Sequence, residues 1–220
     1  MVKKIFIWLS LLMTVHSGFT QPGFSFLTDL SVQHNFKKGQ QYTVIGQTIQ
    51  TNFNFTPKEA AYVWFAYYSN GKFEDKLTAT ARSLSTQPQQ IAYTNQAKMR
   101  LKQISIGYKR YLIGNSDAET GINVYASAGF GLVLGRMQNA HSVSIDTSLY
   151  KVPVYAGEAN FKRLTIDPGL GVERYLGADF YVYGEIRCWV PTTDYPSKFI
   201  SQNENAPWTG MASIGMRIRF

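Results

Sequence analysis

The stretch Trp208–Phe220, WTGMASIGMRIRF, decides the fold class of this chain. Every second residue belongs to an apolar or small set: Gly210, Ala212, Ile214, Met216, Ile218 and Phe220. The intervening set is small or polar and carries Arg217 and Arg219 near its end. A period of two predicts a β-strand with one apolar face and one cationic face. We expect this strand to run to the last residue and to end on an exposed aromatic ring.

The first residues are typical of an export signal. Lys3 and Lys4 precede the apolar run Ile5–Val15, and small residues follow that run. This layout predicts a signal peptide over residues 1–20, removed to leave one domain over residues 21–220. The apolar run, at about eleven residues, is shorter than the roughly 20 that a membrane-spanning helix needs.

Charge and cysteine content exclude several classes of protein. The chain has a formal net charge of +8. Nucleic acid is a common partner of basic chains, but the export signal and the scattered Lys and Arg residues argue against it. The lone Cys188 excludes an intramolecular disulfide framework. The mean hydropathy of −0.18 is compatible with membrane strands, because alternating apolar and polar residues keep the average low.

Seven further segments are predicted to be strands. They are Phe24–Phe36, Tyr42–Phe55, Ala60–Tyr68, Arg100–Leu112, Ile122–Gly135, Phe161–Tyr175 and Phe180–Val190. In Ile122–Gly135 the apolar face is unbroken, which favours contact with lipid over packing in a soluble β-sandwich. Ala60–Tyr68 is apolar on both faces, so its orientation stays open.

The predicted connections alternate in length. Short connections at 56–59, 113–120 and 176–179 fall on the side of the two termini, and long loops at 69–98, 136–160 and 191–207 fall on the other side. Short turns on one side and long loops on the other are typical of membrane barrels. A strand-built spanning protein must close, because lipid offers backbone polar groups no partners. The sequence therefore predicts an all-β chain that forms a single transmembrane antiparallel up-and-down β-barrel of about eight strands.

Four features of the chain point to a known kind of protein: the signal peptide, the alternating strands, the unequal loops and the terminal Ile218-Arg219-Phe220. In these features the chain resembles the small bacterial outer-membrane β-barrels of the OmpA-like and OmpX-like kind. It also resembles the PorT-like group. The resemblance spans the whole mature chain and rests on architecture, without a catalytic signature. It implies a location in the bacterial outer membrane and contact with outer-membrane lipid. It also implies insertion by the outer-membrane assembly machinery through the terminal strand, with Phe220 as the assembly signal.

The polar faces of the predicted strands carry charged residues that a barrel would turn inward. They are Lys109, Asp167, Glu173, Glu185, Arg187, Arg217 and Arg219. Buried charges are costly unless they are paired, and an eight-stranded barrel is filled by its own side chains. We therefore predict a structural salt-bridge plug in which Glu173 and Glu185 lie near Arg217. An ion gate or narrow conduit is the alternative.

The sequence offers little support for an enzyme. His34 and His141 remain after processing, and Ser142, Ser144 and Asp146 lie close to His141. A nucleophile and a base must lie within hydrogen-bonding reach, and a serine-rich loop contains such residues by composition alone. No metal-ligand spacing or cofactor motif is present in the sequence.

The predicted function is therefore non-enzymatic. The protein is expected either to have a structural role in the membrane or to bind an extracellular ligand through the long loops, because binding residues concentrate on loops. A small pore or transport accessory and a lipid-modifying enzyme are the alternatives.

Overall fold

The computed structural model describes residues 23–192, 199 and 208–220. The chain forms ten strands in this order: β1 Gly23–Asn35, β2 Tyr42–Thr56, β3 Glu59–Ala81, β4 Gln90–Ile113, β5 Ile122–His141, β6 Tyr150–Lys151, β7 Gly157–Ile166, β8 Gly169–Gly177, β9 Phe180–Pro191 and β10 Thr209–Arg219. The predicted signal peptide over residues 1–20 lies outside the described residues, as does most of the predicted loop 191–207.

The strands close into a ring. All pairings are antiparallel, and β10 pairs with both β9 and β1. The closing pair runs from Ser25 opposite Arg219 to Asn35 opposite Thr209. The backbone of Phe220 continues this pairing, since its N–H donates to the carbonyl of Phe24 over 2.8 Å. The predicted barrel and the predicted closing strand are confirmed.

One wall position is shared by β7 and β8. The predicted strand Phe161–Tyr175 is interrupted at Asp167 and Pro168, because proline has no N–H to donate. The register against β5 is nevertheless continuous, with Phe130 opposite Ile166 and Ser127 opposite Gly169. With β7 and β8 counted as one wall position and the short β6 paired only with β3, the ring has the eight members that the sequence predicts.

The polarity of the barrel is inverted relative to a soluble protein. The alternation that the sequence predicts is observed, and large apolar side chains are exposed around the outer wall: Ile45, Ile49, Ile104, Ile106, Leu132, Leu170, Ile186 and Ile214. The orientation of the third strand, which the sequence left open, is also clear. Tyr62, Trp64 and Tyr68 are buried inside, whereas Phe65 and Tyr67 face outward.

Of two predicted long loops, one is wrong in most of its length and the other in part. The range 69–98 is largely strand, because β3 continues to Ala81 and β4 begins at Gln90. The range 136–160 is partly strand, since β5 continues to His141 and β7 begins at Gly157. Beyond the apolar belt the outward face becomes polar and the inward face mixes apolar and polar residues, such as Phe73 and Asp75, so the period-two signal fades although the backbone ladder continues.

The opposite rim has short connections, as predicted. Pro57 and Lys58 join β2 to β3, and a longer turn joins β4 to β5. Ala178 and Asp179 join β8 to β9 with φ angles of 50° and 63°. Positive φ at both central residues is the geometry of tight hairpin turns, whose twist matches that of the flanking strands.

Candidate functional site: a filled barrel with a tall outer rim

The lower interior of the barrel, near the short turns, holds a buried ion triad. Glu173 on β8 accepts from Lys109 on β4 over 3.4 Å and from Arg217 on β10 over 2.8 Å, and all three side chains are 0% exposed. Tyr111 donates its hydroxyl proton to the same carboxylate over 2.9 Å. Inward parity brings these residues into the lumen, and the strand register brings them to one height.

Both cations of the triad also lie over aromatic rings. The Lys109 ammonium nitrogen is 3.4 Å from the ring centroid of Tyr125, and the Arg217 guanidinium carbon is 3.7 Å from that of Tyr181. Arg217 further donates to the backbone carbonyl of Ser116 over 2.8 Å. Attraction to ring faces and carbonyls compensates for the single carboxylate that the two cations share.

A second ion pair lies higher in the lumen. Arg187 and Glu185, two residues apart on β9, approach to 2.6 Å. Tyr125 donates to Glu185 over 2.9 Å, and Arg187 donates to Gln50 over 3.1 Å. Glu185 therefore pairs with Arg187, whereas the sequence predicted it near Arg217.

Asp167 is bound by neutral donors. Its carboxylate accepts from Gln103 over 2.9 Å, and from Ser105 and Thr165 over 2.7 Å each. The remaining residue of the predicted network, Arg219, is partly exposed at the rim and lines a surface cleft with Asp117.

Sequence reasoning missed two buried charged residues. Asp29 accepts from Thr48 over 2.7 Å and from Tyr183 over 2.6 Å. Arg163 on β7 is also buried. Both have the inward parity of their strands, so applying that parity to every charged residue would have found them.

Above the ion pairs the lumen is apolar and aromatic. A single buried cluster fills it, and its members include Tyr42, Trp64, Tyr68, Met99, Leu101, Val133, Met137, Phe161, Trp189 and Met211. Trp189 packs edge-on against Trp64 and Tyr68 at centroid distances of 6.2 and 5.8 Å. The polar triad below and this cluster above fill the barrel with side chains.

The tall strands carry a second, separate core beyond the barrel. Ala79, Tyr93, Tyr150 and Val152 are buried against one another, and β6 pairs with the end of β3. Tyr150 donates to the backbone carbonyl of Pro88 over 3.0 Å, which ties β6 to the connection between β3 and β4. We call this unit, residues 72–98 with 138–157, the outer cap.

The outer cap has an open cleft on its flank. The cleft has a volume of about 690 Å³ and is lined by residues of β3, β4, β5 and β7, among them Lys72, Phe73, Gln96, Gln138 and Glu158. Glu158 accepts from Arg136 and Gln138. Those two donors lower the pKa of Glu158.

The candidate catalytic residues are not brought together. His141 packs against Tyr93 at a centroid distance of 4.5 Å, and burial lowers the pKa of His141. Ser142 accepts from the Thr94 backbone, and Asp146 accepts from Ser148. Among the described residues no hydrogen bond joins His141 to a serine or a carboxylate.

His34 lies on the outer wall, where its ring is 2.9 Å from the hydroxyl of Thr43. In the part of the chain that the structure describes, no group of His, Cys, Asp and Glu residues is placed to hold a metal ion. No helix within the same residues is long and apolar enough to cross a membrane.

Comparison with known proteins identifies the fold. No protein-family model matches the chain, and no curated protein matches its sequence. Among solved structures, Neisserial surface protein A superposes with a TM-score of 0.55 at 13% identity, over 90% of this chain and 97% of that chain. This chain has the fold of the small bacterial outer-membrane β-barrels.

Two further outer-membrane barrels align over similar lengths. The attachment invasion locus protein Ail of Yersinia pestis gives a TM-score of 0.49 at 10% identity, covering 91% of this chain and 100% of that chain. The N-terminal barrel domain of OprF of Pseudomonas aeruginosa gives 0.47 at 11% identity, covering 89% and 97%. The fold assignment rests on the neisserial barrel and on the closed ring, and the likeness extends to the fold alone.

As an outer-membrane barrel, the molecule has a defined orientation. Its outer wall is apolar, its short turns lie on the same side as Gly23 and Phe220, and the outer cap lies on the other side. In bacterial outer-membrane barrels the short turns are periplasmic and the longer connections extracellular. The outer cap therefore faces the outside of the cell.

Proposed function

We propose that this protein is a closed, non-conducting and non-enzymatic barrel of the outer membrane that holds the outer cap as a rigid binding platform at the cell surface. The observation that supports this most strongly is the pair of separate cores. One core fills the barrel, and the other orders strands that extend beyond the membrane and have no part in crossing it.

The filled lumen argues against a pore. The ion triad, the Glu185–Arg187 pair and the aromatic cluster occupy successive heights of the barrel. Opening a path would separate buried ion pairs, which costs about 3–5 kcal/mol for each partner removed. A resting barrel of this kind is expected to be a poor conductor.

The ordered cap argues for binding. Its strands are held by a backbone ladder that runs without interruption from Gly71 opposite Met99 to Thr80 opposite Gln90. A rigid scaffold lowers the entropy lost on binding. Asparagine, glutamine and lysine side chains around the open cleft supply donors for a polar ligand.

Single-channel recording in planar bilayers tests the closed barrel. We expect the wild-type protein to give no stepwise conductance. The double variant Glu185→Ser/Arg187→Ser, which removes both charges of one pair and so leaves neither charge unpaired, is expected to leak ions. Stepwise currents through the wild-type protein would favour the pore.

Shortening the β3–β4 hairpin tests the platform. Joining Tyr68 to Leu101 through a two-residue turn removes the β3–β4 hairpin, which is the larger part of the outer cap, and keeps the paired wall strands below it. Cells displaying the full protein should adhere to immobilised heparin, a polar and anionic ligand, more strongly than cells displaying the shortened form. Equal adhesion by both forms would contradict a binding role for the outer cap.

A further inference from the structure

The apolar belt of the barrel ends at a sharp level on its tall side. Phe65, Ile104 and Leu132 lie side by side on consecutive strands and are exposed. One row nearer the outer cap, Tyr67 lies opposite Lys102, whose ammonium nitrogen is 5.8 Å from the tyrosine ring centroid. Aromatic and basic side chains at this position mark the boundary between hydrocarbon and headgroups.

Beyond that boundary, cations lie directly opposite one another on the outer wall. Lys72 on β3 is opposite Lys98 on β4, and Arg100 on β4 is opposite Arg136 on β5. All four side chains are exposed and point outward. Like charges directly opposite on one sheet face destabilise the pair of strands. An anion bound between the strands would reduce this repulsion.

The carboxylates nearby do not meet this need. Glu158 is paired with Arg136, and Glu74 accepts from Gln96 over 3.2 Å. Within residues 23–192 and 208–220, no carboxylate lies within ion-pair distance of Lys72, Lys98 or Arg100. A polar pocket of about 230 Å³ opens between Lys98, Arg100, Arg136 and Gln138, large enough for a tetrahedral oxyanion.

We propose that this basic patch, formed by Lys72, Lys98, Arg100, Lys102 and Arg136, binds the phosphate group of an anionic lipid in the adjoining leaflet. The patch lies on the lipid-facing wall immediately beyond the apolar belt. An acyl chain can therefore follow the belt while its headgroup reaches the pocket. Arginine supplies paired N–H donors to phosphate oxygens, and lysine adds point charge.

Native mass spectrometry of the detergent-solubilised full mature chain tests this. The protein is titrated with phosphatidylglycerol and, separately, with phosphatidylcholine of the same acyl chains. We expect tighter binding of phosphatidylglycerol by the wild-type protein. A cation near an anionic surface contributes roughly fivefold in affinity, so Lys72→Gln/Lys98→Gln/Arg100→Gln should weaken phosphatidylglycerol binding at least about fivefold.

The chain offers a matched control at the other rim. Lys58, Arg110 and Arg174 are exposed cations near the short turns, and changing all three to Gln removes the same charge. This control, and the conservative Lys98→Arg/Arg100→Lys, should keep the preference for phosphatidylglycerol. Different migration of boiled and unboiled samples on a detergent gel verifies that each variant is folded.

Three results would overturn the proposal. The first is an unchanged lipid preference in the triple Gln variant, and the second is an equal loss in the control at the other rim. The third is binding of inorganic phosphate or dextran sulfate that depends on the patch, without any preference for phosphatidylglycerol over phosphatidylcholine. That outcome would assign the patch to a soluble anion.

Discussion

At the scale of single residues, the chemistry of the lumen centres on Glu173. Its carboxylate is shared by Lys109 and Arg217, and it also accepts from Tyr111. The three strands that carry these ionic groups are β4, β8 and β10, which are far apart in sequence. One side chain thus connects distant parts of the barrel wall from the inside.

Replacing Glu173 by Gln should destabilise the barrel strongly. The amide keeps the shape and can still accept from Tyr111, but two buried cations lose their counter-charge. Removal of one partner of a buried pair costs about 3–5 kcal/mol. We expect a loss of this size in the free energy of unfolding, measured by urea titration in phospholipid vesicles.

Glu119 provides the control for that measurement, because it is an exposed carboxylate in the β4–β5 turn. Glu119→Gln should change the free energy of unfolding by no more than about 0.5 kcal/mol. If Glu173→Gln unfolds at the same urea concentration as wild type, the triad does not stabilise the barrel.

Parity predicts which residues enter the lumen but not which of them meet. Arg217 and Glu185 are both inward by alternation, yet Glu185 lies in the row of Gly171 and Ser213, one step further from Arg217 than the row of Glu173. Height in a barrel depends on the tilt and register of the strands. The alternation within a single strand gives neither its tilt nor its register. The partners of Arg217 could therefore be identified only from the structure.

At the scale of elements, the outer cap differs from the barrel wall that supports it. The wall strands carry an exposed apolar face, which makes them recognisable from sequence, as in Ile122–Gly135. Strand ends such as Leu77–Ala81 contact water on one side and a small core on the other. Backbone groups in this region can form hydrogen bonds with water when the strands separate. The order of these strand ends therefore depends on the second core.

His141 links the order of the outer cap to pH. Burial against Tyr93 lowers the pKa of His141 below its ordinary value of 6.5. The unfolded cap therefore binds the proton more tightly than the folded cap. The stabilising contribution is complete above about pH 6.5 and is lost as the pH falls from that value toward the lowered pKa of the folded state.

We expect protease cleavage within residues 82–89 to accelerate between about pH 7.5 and about pH 5.5, which bracket the ordinary histidine pKa. His141→Phe keeps a ring against Tyr93 and should remove this acceleration, whereas His34→Phe on the outer wall should retain it. Asp75 changes the stability of the cap in the opposite direction, because burial raises its pKa and protonation of Asp75 therefore favours the folded cap. Cleavage rates that are independent of pH in the wild-type protein would exclude His141 as the responsible group.

At the scale of the whole molecule, closure depends on the first and last strands. The Phe220 ring is 72% exposed to the outside and lies 5.9 Å from the ring of Phe24 between centroids. Its backbone forms the last hydrogen bonds of the closing pair. The terminal residue therefore takes part both in the seam and in the outer surface.

Deleting Phe220 should lower the yield of folded barrel in the membrane, because it removes the end of the seam and the terminal aromatic ring. The measurement is the fraction of heat-modifiable protein in the membrane of expressing cells. Phe55→Ala removes another exposed ring at the same rim and should leave that fraction nearly unchanged. Equal yields for the deletion and the wild type would show that Phe220 is dispensable for assembly.

The unequal height of the wall gives the molecule a front and a back within the plane of the membrane. Strands β3, β4 and β5 rise well above β1, β2, β9 and β10. Among the described residues the low side has only short strands, so a neighbouring membrane protein meets a lower wall there than on the side of β3, β4 and β5. A ligand gripped by the tall side would pull off-centre, so the barrel would tilt under load instead of being drawn straight out of the bilayer.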